Sequence, residues 1–138
     1  MAYPTVSAPY GLKPINLIGG QPYAGSTRQM KIASGFATDI FNDGTIQKET
    51  GTTTTTTTGI IGVFVGCRFT DPGTGQLTFK NYWPASTVAA DARAYVVDDP
   101  DALFKIVSCS GTTTVAGIGY TAIGVNAALI QNAGSTTN

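Results

Sequence analysis

Ile60-Ile61-Gly62-Val63-Phe64-Val65-Gly66-Cys67-Arg68-Phe69 is the stretch that decides the fold class. It is a nearly continuous apolar run rich in β-branched residues. Such side chains are stiff and suit extended backbone, and a run without alternation predicts a strand buried on both faces. Gly59, Gly62 and Gly66 fit strand positions that permit bulges, tight corners or close approach of another backbone. Asp71-Pro72-Gly73-Thr74-Gly75 then turns the chain. Gln76-Leu77-Thr78-Phe79-Lys80-Asn81-Tyr82-Trp83 alternates polar and apolar residues and predicts a strand antiparallel to its predecessor, ended by Pro84.

Working outward, Arg28 to Ala33 shows the two-residue period of a half-buried strand. Asn42-Asp43-Gly44 lies between Ile40-Phe41 and Thr45-Ile46, a hairpin-type turn signal. Ala94 to Val97 and Leu103 to Val107 are two further strands. The Asp98-Asp99-Pro100-Asp101 turn between them predicts a hairpin. Val88 to Ala92 is expected to make one helical turn. Beyond Val115 the chain is rich in Gly, Ala and Ile; Gly117, Gly119 and Gly124 oppose a stable helix, so short strands with a bulge are expected, with a helical turn near residues 127–130. Residues 52–58 are seven consecutive threonines, expected to be a strand or exposed loop. The sum is an all-β chain, a small antiparallel β-barrel or sandwich.

Residues 1–27 read as an extended N-terminal arm, 28–131 as the β-barrel or sandwich body and 132–138 as a loose C-terminal tail. Pro4, Pro9, Pro14 and Pro22 forbid a helix across the arm, because each fixes its own φ and pushes its predecessor out of the α region. Between them stand Tyr3, Val6, Tyr10, Leu12, Ile15, Leu17 and Ile18, too apolar for a solvated linker. A segment of this kind lies on a surface, either its own body's or a neighbour's.

Composition narrows the chemistry. The 138 residues match one domain. Charged residues make up 12%, about half the usual share, and the formal net charge is zero. Low net charge favours association. The eight basic residues are scattered, which disfavours nucleic acid. No run of about 20 apolar residues supports membrane spanning, and the N-terminus lacks a basic-then-apolar leader. The expectation is a protein made in a cytoplasm. Histidine is absent, which removes the commonest general base and transition-metal ligand. The glycines miss the spacing of phosphate and dinucleotide loops. No catalytic, cofactor-binding or metal residue is assigned, and the expectation is a structural binder rather than an enzyme. Asp98, Asp99 and Asp101 read as a turn rather than a calcium loop, since Asp before Pro initiates turns and caps backbone N–H groups. Cys67 and Cys109 read as small buried residues rather than a disulfide. Tyr82-Trp83-Pro84 is the densest aromatic feature, with two readings: core packing at a strand end, or an interface anchor.

Several blocks carry a resemblance: Pro9-Tyr10-Gly11-Leu12-Lys13-Pro14-Ile15, Gly25-Ser26-Thr27-Arg28-Gln29, Gly62-Val63-Phe64-Val65-Gly66-Cys67, Tyr82-Trp83, Ala94-Tyr95-Val96-Val97-Asp98-Asp99-Pro100-Asp101 and Asn132-Ala133-Gly134-Ser135-Thr136-Thr137. Together they resemble a family of small virion structural proteins of tailed bacteriophages. The resemblance implies a capsid decoration, or cement, protein made in the bacterial host cytoplasm. It would sit on the outer capsid surface and bind the major capsid protein and itself, as a homotrimer or homodimer. It implies no cofactor, nucleic acid or membrane. The candidate protein-interface residues are Tyr3, Pro4, Tyr10, Leu12, Ile15 and Leu17 on the arm, with Tyr82 and Trp83 on the body. The alternative is a glycan- or receptor-binding module of a phage tail or fibre, with Tyr82, Trp83 and the Asp98 to Asp101 turn exposed and convergent.

Overall fold

One strand organises the others. In a computed structural model that describes residues 11–43, 45–47, 59–110 and 114–129, the long apolar run forms a strand, Ile60–Thr70, that hydrogen-bonds to three neighbours. Among the described residues the strands are β1 (Lys13–Leu17), β2 (Arg28–Lys31), β3 (Thr45–Gln47), β4 (Ile60–Thr70), β5 (Leu77–Lys80), β6 (Arg93–Val97), β7 (Ala102–Lys105), β8 (Cys109–Ser110) and β9 (Thr114–Val115). All pairings are antiparallel. The chain is all-β, with a single short 3-10 turn at Tyr120–Ala122 among the described residues.

The main sheet runs β2-β6-β4, and the far edge of β4 is shared: β3 pairs with its first half and β5 with its second. The sheet does not close into a barrel. β1 and β7, which might have extended it, pair with each other in a separate ribbon. β4 and β5 form the antiparallel pair expected from the alternation of Gln76 to Trp83.

β4 carries a bulge. Phe64 lies opposite Val96 and Gly66 opposite Tyr95, so Val65 is an extra residue on the β4 side. Strict alternation would put Phe64 on one face and Cys67 and Phe69 on the other. The extra residue shifts the phase by one, and all three enter the same core. Ala94 and Val96 of β6 join them, with Ile32, Trp83, Ala89 and Ala92. Gly66 sits at φ 149°, a value that L side chains rarely adopt, and its α-carbon faces the Lys80 carbonyl. Glycine is required there for its backbone.

Two loops close this core. Ile40 and Trp83 exchange backbone hydrogen bonds, Trp83 N–H to Ile40 at 2.8 Å and Ile40 N–H to Trp83 at 3.1 Å. Trp83 Nε1 donates to the Phe36 carbonyl, and its ring meets Phe69 edge to face at 5.2 Å between centroids. Asp39 accepts from the Ala85 N–H at 2.7 Å, which ties the two loops together. On the opposite face of the sheet Val63 and Val97 are also buried. A cleft of about 250 Å³ there is lined by these two together with Leu12 and Phe104, so the start of the chain's described part and β7 border that end of the sheet.

Four local expectations are corrected. The strands on either side of Asp98 to Asp101 do not form a hairpin: β6 is already paired on both edges, by β2 and β4, and β7 pairs with β1. Ile40-Phe41 does not pair with β3 across Asp43; Ile40 bridges Trp83 and β3 pairs with β4. Val88 to Ala92 is extended with a turn, because the loop is held by Thr87 and Ala92 carbonyls to Gly35 and Ile32 N–H groups. The helical turn near the C-terminus falls at Tyr120–Ala122, and residues 127–129 are irregular. The threonine run at 52–58 and the tail at 132–138 lie outside the described residues.

Adding a side chain at Gly66 is expected to cost about 1–3 kcal/mol, the usual range for a strained backbone position. Urea unfolding of Gly66→Ala measures it. Gly117→Ala is the comparison, since its added methyl meets nothing within 4 Å; that change is expected to stay within about 0.5 kcal/mol.

Candidate interaction surfaces

Of the sequence-derived interface residues, Tyr3, Pro4 and Tyr10 lie outside the described residues. The others are held by the chain's own body to different degrees. Leu12 and Leu17 are half-buried, while Ile15 is 51% exposed. The Leu12 N–H donates to the Asp43 carbonyl and the Ile18 N–H to the Asp101 carbonyl, both at 2.8 Å. Residues 12–18 of the expected arm therefore lie on their own body. Tyr82 is half-buried and stacks near Phe41, with centroids 6.4 Å apart. Trp83 is 0% exposed. Of its two readings the burial supports core packing, and its ring is not open to a partner.

The acidic turn has local roles. Asp98 binds Arg28 at 2.7 Å, and Asp99 accepts from the Asp101 N–H at 2.9 Å. Asp99 also helps hold the nearby Tyr23 hydroxyl above its ordinary pKa, after the larger effect of burial. Among the described residues no three His, Cys, Asp or Glu side chains gather as a metal site. Asp43, in the left-handed region at φ 62°, is the turn residue that ties β1 to β4; burial raises its carboxyl pKa, and Lys13 opposes that rise.

Two surfaces escaped the sequence reading. The first is a C-terminal limb. Val115, Ile118, Tyr120, Ile123, Val125 and Leu129 are all exposed, from 37% at Leu129 to 88% at Tyr120. The β8–β9 ribbon at its base is tied by the Ser108 hydroxyl, which donates to the Ala116 carbonyl. No residue from 117 to 129 is buried or half-buried. Scattered single apolar residues on a surface are ordinary, whereas several along one segment mark an interaction site. The available signal was an apolar residue every two to four positions among glycines, a spacing that fits neither strand nor helix.

The second surface is the open end of the sheet face opposite the Trp83 core. The registers place Lys31 of β2 opposite Arg93 of β6, Arg93 opposite Arg68 of β4, and Arg68 opposite Phe79 of β5. Finding this row requires the strand pairing, which no local pattern reveals. Asp91 stands nearby and is already engaged, accepting from the Thr70 hydroxyl at 2.7 Å and from its N–H. Those hydrogen bonds, the hydroxyl's first, lower its pKa, with Arg68 a smaller contributor.

Comparison with protein-family models, curated proteins and solved structures finds no match to the chain.

Both cysteines are free thiols. Burial raises the Cys67 pKa from its ordinary 9.0 to about 11, outweighing the nearby Lys80 charge. Its thiol donates to the Tyr82 carbonyl at 3.3 Å. The folded state therefore favours the protonated thiol. That contribution to stability is whole below pH 9 and is lost as pH rises toward about 11. A Cys109→Ser variant at pH 8 is expected to react with Ellman's reagent only as fast as it unfolds. A rapid reaction would mean that the core opens around Cys67 without global unfolding.

Proposed function

We propose that the chain is a bacteriophage head decoration protein that binds the outer capsid surface and stabilises contacts between major capsid subunits. The observation that carries this reading is the limb: a run of apolar side chains that follows a two-stranded ribbon and is left exposed among the described residues. Exposed apolar surface of this extent favours burial against another protein. The low charge supports the same view, since a surface poor in charge is suited to being covered. The resemblance to virion structural proteins supplies the identity of the partner. The sheet and its Trp83-centred core supply rigidity, and the limb supplies reach. Many copies on a shell, each binding modestly, gain by avidity when copies associate with one another. The tail or fibre alternative needs an exposed aromatic platform, and the burial of Trp83 gives it no support.

The test uses polar substitutions where the fold does not depend on the side chain. Ile118→Ser, Tyr120→Ser and Ile123→Ser, combined, are expected to leave the melting temperature within about 5 °C, because surface changes are usually within about 0.5 kcal/mol each. Binding to empty heads assembled without this protein is expected to fall by at least tenfold, about 1.4 kcal/mol, together with the heads' resistance to heat. Undiminished binding by the folded variant removes the limb from the reading.

A further inference from the structure

Directly opposed residues on one face of an antiparallel pair have β-carbons about 4.5–5.5 Å apart, and like charges in such positions repel. Lys31, Arg93 and Arg68 occupy three such positions in succession across β2, β6 and β4. The one salt bridge among the described residues joins Arg28 to Asp98, away from this row. Arg68 spends one guanidinium nitrogen on the Gln29 side chain at 3.4 Å, and its Nε is buried with no hydrogen-bond partner. Asp91, which feels the Arg68 charge, spends its hydrogen bonds on Thr70 and makes no salt bridge with Arg68 among the described residues.

The flank of the row is apolar and open. Phe79, opposite Arg68, is 65% exposed, and Leu77, on the same face of β5, is 52% exposed. A guanidinium fork beside an exposed aromatic ring suits a partner that presents a carboxylate next to an apolar side chain.

We infer that this face, Lys31–Arg93–Arg68–Phe79, docks an acidic, extended segment of a partner protein, whose alternate carboxylates meet the cations and whose apolar side chains meet Phe79 and Leu77. The charge pattern favours protein over nucleic acid. Binding a duplex backbone commonly engages about 6–10 phosphates, and this row offers three cations on a chain of zero net charge. The surface is distinct from the limb and does not rest on the capsid reading.

The test uses a fluorescein-labelled decapeptide of alternating glutamate and valine, with the lysine–valine decapeptide and a ten-nucleotide oligothymidylate as comparisons. Anisotropy is measured with the full chain at 20 mM and 150 mM salt. The glutamate peptide is expected to bind, to weaken with salt, and to lose at least tenfold in affinity with Arg68→Gln/Arg93→Gln. Lys31→Gln, at an exposed strand position, is expected to weaken it several-fold, and Phe79→Ser likewise without altering the salt dependence. Trp83 fluorescence, from the far side of the sheet, reports whether each variant is folded. The inference is overturned if the glutamate peptide does not bind. It is also overturned if folded Lys31→Gln and Phe79→Ser both bind it like the parent, or if the lysine peptide or the oligonucleotide binds as tightly.

Discussion

The extra residue in β4 is the constraint on which the rest depends. A strand of regular pleat cannot send Phe64, Cys67 and Phe69 to the same side, because successive side chains alternate. Val65, inserted before Gly66, changes the phase, and the three side chains then meet Trp83 in one core. The same shift turns Arg68 outward, beside Arg93. One backbone irregularity therefore sets both the hydrophobic interior and the charge pattern of the opposite face. Gly66 makes it possible at a φ that side-chain-bearing residues resist.

The two faces of the sheet have different fates along their length. The face with Phe64 and Cys67 is sealed by the loops that Trp83 and Asp39 hold together. The other is buried at one end, where Val63 and Val97 border a cleft shared with Leu12 and Phe104, and open at the other, where the arginines stand. That division separates the part of the sheet that stabilises the protein from the parts proposed to meet others.

What was legible from the residues was mostly what is local. The β4–β5 pair followed from an apolar run, an Asp-Pro-Gly turn and an alternating segment, all contiguous. The partner of β7 was not legible, since Asp98 to Asp101 is a competent turn in its own right and nothing in it says that β6 has already spent both edges. Trp83 was ambiguous because large aromatic residues suit both cores and interfaces; the enclosing contacts come from Phe36, Ile40 and Phe69, remote in sequence. The limb was read as short strands with a bulge because its apolar residues imply burial, and composition does not say whether the chain itself provides that burial. The cationic row depends on three registers at once.

The β1–β7 ribbon bears on how the chain is made. Lys13 pairs with Lys105, about ninety residues further on, and pairings of such separation form late because a long loop must close first. During synthesis β1 emerges early and has no strand to pair with until β7 has followed. Until then the cleft at the Val63–Val97 end of the sheet lacks its Phe104 wall. In a protein proposed to assemble with others, a late intramolecular step is thus one that completes the wall of an apolar cleft, and its timing relative to assembly decides which partner reaches that face first.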